Sequence, residues 1–304
     1  MKRTIISPAS TSNLGPGFDA LGLGVGWGIE VSIEAEAPAG FSVQLEGEGR
    51  KILPADGRNM ILKVAREIAG DATDRAAWRI TSRIPVARGL GSSAAARCAG
   101  LAAGYLLRDG ALPPRHVVFE DASRHENHPD NASACVFGGL RVCSRNGSEW
   151  LSWPSPILDS ELQLLLVIPE VPVETAQARA ILPTSYTRAA TVRNLQSMSV
   201  LLSGLARGDW EAVRAGCRDQ LHEPYRLPLV PGLSGALDSL REDESLGGAW
   251  LSGAGPTLAA FLPAEGARSD SGEAAVACLS AAGIGAAIHR VPIDLSGLRI
   301  EEDQ

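Results

Sequence analysis

Residues 84–96, Ile-Pro-Val-Ala-Arg-Gly-Leu-Gly-Ser-Ser-Ala-Ala-Ala, constrain this chain more than any other stretch. They follow a predicted strand, turn on two glycines and open a helix of small residues. Gly89 and Gly91 let backbone amides approach a phosphate closely, and the helix start adds unpaired N–H donors with a favourable dipole. Ser92 and Ser93 supply hydroxyls for a phosphate oxygen or for Mg²⁺. The plainer alternative is a glycine turn with Ser92 as the helix N-cap. Gly89-x-Gly91-x-x-Ala94 also fits the dinucleotide pattern, which needs a buried strand ending in an acid about 20 residues on. Asp109 stands at that distance, but a helical stretch precedes it and the breaker Gly110-Ala111-Leu112-Pro113-Pro114 follows, so the dinucleotide option fails.

Charge narrows the chemistry further. The 304 residues carry 28 Lys+Arg against 35 Asp+Glu, a net charge of −7, without any basic block. Nucleic acid and anionic membranes are thereby disfavoured as main partners. The lysines are Lys2, Lys51 and Lys63, so no lysine-bearing phosphate loop exists beyond residue 63. Cys98, Cys135, Cys143, Cys217 and Cys278 form no C-x-x-C pair and read as reduced thiols of a cytoplasmic protein. No signal-length apolar core opens the chain, and no apolar run approaches about 20 residues, so a membrane span is not expected.

The length suggests two domains, with Trp153-Pro154-Ser155-Pro156 as the boundary: residues 1–154 and 155–304. Strands are expected at Thr4–Ser7, Val25–Ile33, Phe41–Leu45, Ala77–Ile84, Leu162–Ile168, Gly248–Leu251, Leu258–Leu262 and Ala286–Val291. Ala9–Asp19 reads as a polar loop and Ala37–Gly40 as a turn. Helices are expected at Asn59–Ala69, Ser92–Leu107, from Pro113-Pro114 to about Glu126, and at Thr187–Ala206, Asp209–Gln220, Leu233–Arg241 and Glu273–Ala282. Strands and helices mix without strict alternation, which favours an α+β fold.

Three further segments concentrate functional groups. In Ser12-Asn13-Leu14-Gly15-Pro16-Gly17-Phe18-Asp19, Asn13 and Asp19 bracket a tight turn and could face a polar substrate, although structural turns use the same residues. Ser252-Gly253-Ala254-Gly255-Pro256-Thr257 lies between two apolar strands and reads as a turn or as a second lining of a phosphate site. Glu126-Asn127-His128-Pro129-Asp130-Asn131 gathers carboxylates, an imidazole and an amide at a helix start. Zinc is disfavoured there, because Pro129 breaks the helix face that His125 and His128 would share. Thr175–Arg179 and His222–Arg226 place two arginines that could grip a carboxylate as forks, or could be surface residues.

Taken in order, Asn13–Asp19, the Pro85–Ala95 segment and Ser252–Thr257 resemble the three motifs of the GHMP kinase superfamily. His128-Pro129-Asp130-Asn131, Ala178-Arg179-x-x-Leu182-Pro183 and His222-Glu223-Pro224-Tyr225-Arg226 are similar to its homoserine-phosphorylating branch. The resemblance runs from about residue 5 to 262. It implies a two-domain α+β fold, with an N-terminal ATP-binding domain and a ferredoxin-like C-terminal domain, and phosphorylation of L-homoserine on the way to threonine. It implies ATP and Mg²⁺, with Pro85, Arg88, Gly89, Leu90, Gly91, Ser92, Ser93, Ala94, Gly253 and Gly255 around the nucleotide. Ser93 and Glu126 would hold the metal, with Glu120 as the fallback. Asn13, Asp19, His128, Asp130, Thr175, Arg179 and Arg226 would surround homoserine, and Asn131 with Asp130 would serve the reacting hydroxyl. Asn127 and Ser12 depart from the family's usual glycine and alanine. Oligomeric state stays open, a homodimer among the options.

Overall fold

The computed structural model describes residues 2–37, 40–156, 162–264 and 268–302. The first part of the chain runs β1 (Lys2–Asn13), β2 (Gly17–Glu34), β3 (Ser42–Gly47), α1 (Met60–Ala69) and β4 (Ala77–Ser82). Then come α2 (Ser92–Asp109), α3 (Arg115–Glu126), α4 (Asp130–Phe137) and the hairpin β5 (Leu140–Asn146) and β6 (Glu149–Ser155). Next follow β7 (Gln163–Pro169), α5 (Thr175–Ala180), α6 (Arg188–Leu205), α7 (Trp210–Gly216), α8 (Glu223–Arg226) and α9 (Leu233–Glu242). The chain closes with β8 (Ala249–Leu251), β9 (Leu258–Leu262), α10 (Glu273–Ala281), β10 (Ala286–Pro292) and β11 (Arg299–Glu302).

Two sheets result. The first orders its strands β11-β1-β2-β4-β3, with the β5–β6 hairpin attached to the start of β2. Within it only β3 and β4 run parallel. The second is antiparallel in the order β10-β7-β9-β8. Counted within that half the order is 4-1-3-2 with helices between, the ferredoxin-like arrangement. β11 returns to pair with β1, so the last strand stands apart from the 155–304 half to which the sequence division assigns it.

β7 shows why its sequence is a continuous apolar run. Leu164, Leu166 and Ile168 join a core shared with the first sheet, whereas Leu165 and Val167 pack with α9 and α10 in a second core. A strand covered on both faces needs no polar alternation. The two halves also meet at β1, where Thr11 Oγ1 accepts from Trp250 Nε1 at 3.0 Å and shares a hydrogen bond with Ser252 Oγ at 2.8 Å.

Several boundaries differ from the sequence expectation. The supposed loop Ala9–Asp19 is mostly strand: β1 continues to Asn13 and β2 begins at Gly17. Ser10, Thr11 and Ser12 are buried despite their polarity because each has hydrogen-bond partners inside the molecule. The helix expected over 209–220 stops at Gly216. Beyond it the Asp219 carboxylate takes the N–H groups of Leu221, His222 and Glu223, which starts α8 instead. Trp153-Pro154-Ser155 belongs to β6 rather than to a linker. The turn expected at 37–40 includes residues 38 and 39, which lie outside the described residues.

Candidate active site

A cleft of about 350 Å³ opens between the start of α2, the β1–β2 turn, the start of α4 and the segment around α5. One wall is the glycine loop. Gly89 and Gly91 hold φ of 76° and 66°, a region that side chains with a Cβ disfavour. A Cβ on Gly89 would lie 2.3 Å from the Ser252 carbonyl, and one on Gly91 would lie 1.9 Å from Ser10 Oγ. The loop is therefore shaped by its supports. Ser252 Oγ donates to the Gly89 carbonyl at 2.7 Å, and the Ser10 amide donates to the Leu90 carbonyl. Gly91 caps α2 without any side-chain hydrogen bond, so Ser92 is not the N-cap and the first-turn amides face the cleft unspent. This is the arrangement that binds phosphate.

Of the residues expected around the nucleotide, Arg88, Gly89, Leu90, Gly91, Ser92, Ser93, Ala94 and Gly253 line the cleft. Pro85 and Gly255 do not. Gly255 sits behind the loop, its carbonyl and amide 2.8 and 2.9 Å from where a Gly89 Cβ would stand, so the third motif buttresses the first. The Arg88 guanidinium lies on the Pro169 and Val86 carbonyls, which take up its donors. Sequence reasoning missed the apolar end of the cleft, where Leu45, Leu53, Met60, Ile80 and Val86 offer a surface suited to a flat base. No motif spacing marks these residues, since β3, α1, β4 and the loops at Leu53 and Val86 contribute one each.

At the other end the β1–β2 turn carries left-handed non-glycine residues, Asn13 (φ 72°), Leu14 (φ 48°) and Asp19 (φ 55°). Such strain persists only where surrounding contacts impose it. Asn13 Oδ1 accepts from the Asp19 amide, and its Nδ2 donates to the Gly253 carbonyl. Asp19 is gripped by Arg179 in bidentate fashion, Nη2 to Oδ1 at 2.7 Å and Nη1 to Oδ2 at 3.1 Å. Burial pulls the Arg179 pKa down, but the hydrogen bond and charge of Asp19 more than offset it and leave it raised.

Arg226 is different. It is buried and donates to the Ala178 and Gly253 carbonyls at 3.1 Å each. Among the described residues no carboxylate pairs with it. Burial and the neighbouring Arg179 charge push it down to about 10. Arg179 and Arg226 also flank the Phe18 ring, at 5.7 and 5.1 Å from its centroid. A buried cation satisfied only by carbonyls is a site prepared for an anion.

Between these ends lies a polar chain. His128 Nδ1 meets Asp130 Oδ1 at 2.7 Å, and His128 Nε2 lies 3.5 Å from Glu126 Oε2. Burial would raise the Asp130 carboxyl, but the hydrogen bond and charge of His128, with the Asn131 amide, hold it below the ordinary carboxylate range. Asp19, His128 and Asp130 each bring a ligand atom within 4.8 Å of the others. Asn131 is fixed from both sides: Ser10 Oγ donates to its Oδ1 at 2.9 Å, and its Nδ2 donates to Ser12 Oγ at 3.0 Å. Ser10 was not anticipated, and Ser12 stood out only as a departure from alanine.

Ser93 Oγ donates to Glu126 Oε1 at 3.0 Å, so the two expected metal ligands do meet. Both also contact Arg97, which the sequence reading passed over. Glu120 pairs with Arg124 and does not line the cleft. His125 turns to Glu67 at 3.2 Å, away from His128. Thr175, the first residue of α5, lines the cleft beside Arg179.

His222 backs the substrate end. It is fully buried, its Nε2 meets the Gly15 carbonyl at 2.9 Å, and it stacks on Phe18. Burial drives its pKa from 6.5 down to about 4. Between those values the unfolded chain binds a proton that the native protein refuses. Stability is therefore retained above pH 6.5 and lost as pH falls toward 4, by up to about 3 kcal/mol. His222→Gln should flatten this part of the profile in urea melts between pH 7 and 4.5. Equal slopes for the two proteins would assign the acid sensitivity elsewhere.

Residues 59–139 match the GHMP kinases N terminal domain and residues 201–285 the GHMP kinases C terminal domain. The chain is 35% identical to the homoserine kinase of Deinococcus radiodurans, over 98% of this chain and 96% of the relative. It is 34% identical to that of Synechocystis sp., over 98% and 97%. In structure it resembles the homoserine kinase of Cytophaga hutchinsonii with a TM-score of 0.83 at 23% identity, over 99% of this chain and 97% of the other.

Proposed function

The chain belongs to the homoserine kinases of the GHMP superfamily, and from that premise we propose how its own residues phosphorylate L-homoserine. The reaction moves the γ-phosphoryl group of ATP to the side-chain hydroxyl, giving ADP and O-phospho-L-homoserine. The observation that carries the substrate assignment is Arg226, a buried cation without a carboxylate partner among the described residues, beside the Arg179–Asp19 pair. An α-amino acid matches this end of the cleft group for group. Its carboxylate takes the two guanidiniums, and its ammonium takes Asp19 and Asp130, whose charge the exchange leaves balanced.

The unspent amides at the start of α2 receive the phosphates, and the apolar wall of Leu45, Leu53, Ile80 and Val86 takes the base. Phosphoryl transfer through a loose transition state asks mainly for alignment and charge stabilisation. Asn131, locked by Ser10 and Ser12 and adjoining the α2 start, holds the acceptor hydroxyl in line. Asp130 is held ionised below the ordinary range, which makes it a weak base and a good ammonium partner. Ser93 and Glu126 offer hard oxygen donors that fit Mg²⁺. When bound, that ion supplies charge neutralisation on the phosphate oxygens.

No helix of the described residues is long and apolar enough to cross a membrane. The free cysteines are consistent with the reducing cytoplasm that we propose as the setting.

An ADP-release assay over homoserine, mevalonate, galactose and shikimate tests the reaction, extended to 3-amino-1-propanol and 4-hydroxybutyrate. Homoserine should far outpace every other alcohol, and the two truncated analogues should each lose at least about tenfold in kcat/KM. Equal turnover of mevalonate and homoserine would transfer the assignment to a sister kinase. Equal turnover of 3-amino-1-propanol would show that the arginines do not read a carboxylate.

A further inference from the structure

Arg97 lies one helical turn beyond Ser93 on α2, and its Nη1 donates both to Ser93 Oγ and to Glu126 Oε1. The two atoms read as metal ligands are thus already bridged by a fixed positive charge. Arg97 reaches them from behind, since it does not itself line the cleft. The pair is largely withdrawn from solvent, with side-chain exposures of 22% for Arg97 and 9% for Glu126.

Charge counting gives the consequence. Glu126 contributes −1 and Arg97 +1, so this corner offers a divalent ion no net negative charge. An ion entering from the cleft to contact both Ser93 Oγ and Glu126 Oε1 also meets the Arg97 charge that lies behind them. The nucleotide's phosphates change the balance, because they bring several negative charges to the start of α2.

We propose that Arg97 is a stand-in cation, holding Glu126 and Ser93 together while the nucleotide is away, so that a divalent ion enters only with the phosphates. This rests on the reading of Ser93 and Glu126 as the metal ligands. The arginine serves as a positioning residue, keeping Glu126 in place and keeping a bare ion from closing the site ahead of substrate.

The test is direct binding of Mn²⁺ to the nucleotide-free protein, followed by electron paramagnetic resonance. Wild type should bind Mn²⁺ only weakly. Arg97→Met, which keeps length and loses charge, should bind it at least about tenfold more tightly, since one unit charge about 4–5 Å from a divalent ion is worth that much even at the dielectric constant of water. Arg97→Lys should stay near wild type, and thermal melts should confirm that both variants are folded. With saturating ADP, wild type and Arg97→Met should converge. An unchanged or weaker Mn²⁺ affinity in Arg97→Met would overturn the proposal. Adding Glu126→Gln to Arg97→Met should abolish the gain. A gain that survives would instead displace the metal from Ser93 and Glu126, which refutes the ligand reading and not the assignment of the reaction.

Discussion

Glu126→Gln should lower kcat at least about 100-fold while changing nucleotide affinity far less. The carboxylate meets Ser93 at 3.0 Å beside the start of α2, where both line the cleft. Under the proposed reading its value lies in holding the divalent cation that would neutralise charge developing during transfer, and the amide isostere preserves shape while removing the charge that attracts that cation. Single-turnover kinetics separate the two effects. Glu120→Gln serves as the control and should turn over near the wild-type rate, because Glu120 pairs with Arg124 outside the cleft. A reversed outcome, with Glu126→Gln active and Glu120→Gln inactive, would transfer the ligand to Glu120.

Arg179→Ala and Arg226→Ala should each raise the KM for homoserine about 10- to 150-fold, the loss of one charge-assisted partner, and leave the KM for ATP nearly unchanged. The two should differ in their side effects. Arg226→Ala strips donors from the Ala178 and Gly253 carbonyls, so its melting temperature should fall as well. Arg179→Ala frees Asp19 from its fork, which should weaken discrimination among amine-bearing alcohols more than stability. Lysine at either position should restore only part of the affinity, since a point charge does not reproduce a planar fork. Wild-type KM and discrimination in both alanine variants would place the carboxylate site elsewhere.

The sequence revealed the chemical groups better than their supports. The glycine loop and the 128–131 cluster are contiguous, so their spacing alone places an amide-rich turn and a polar helix start. The paired arginines are meaningful only after the fold sets Arg226 against Arg179, forty-odd residues apart in sequence. Ser10, Thr11 and Ser12 read as loop because their hydroxyls are satisfied inside the molecule, by Asn131 and by Trp250 and Ser252 of the other half, which erases the apolar alternation that marks a strand. The first half of β2, before the strand expected at Val25–Ile33, hides in a similar way. Gly22 carries no side chain because a Cβ would stand 2.0 Å from the Asp130 carbonyl, and hydropathy is silent about such an approach. Arg97 was invisible for another reason: one arginine among many on a helix gives no sign that its partner is the carboxylate of Glu126 on a different helix.

The two hydrogen bonds at Thr11 bear on how substrates enter. Many two-domain enzymes admit ligands by swinging their halves about a hinge. Here the floor of the cleft is pinned, since Thr11 of β1 holds Trp250 and Ser252 of the other half, and Leu164, Leu166 and Phe261 continue one apolar core across the same junction. Opening there would break these hydrogen bonds and expose the shared apolar core to water. The two rims differ: residues 13–17 of the strained turn are buried and tied to Asn194 and His222 through the Pro16 and Gly15 carbonyls, whereas Ile52 and Leu53 on the other side stand exposed. The joint between the halves is a seam and not a hinge, so an approach to the cleft that leaves it closed costs none of these contacts.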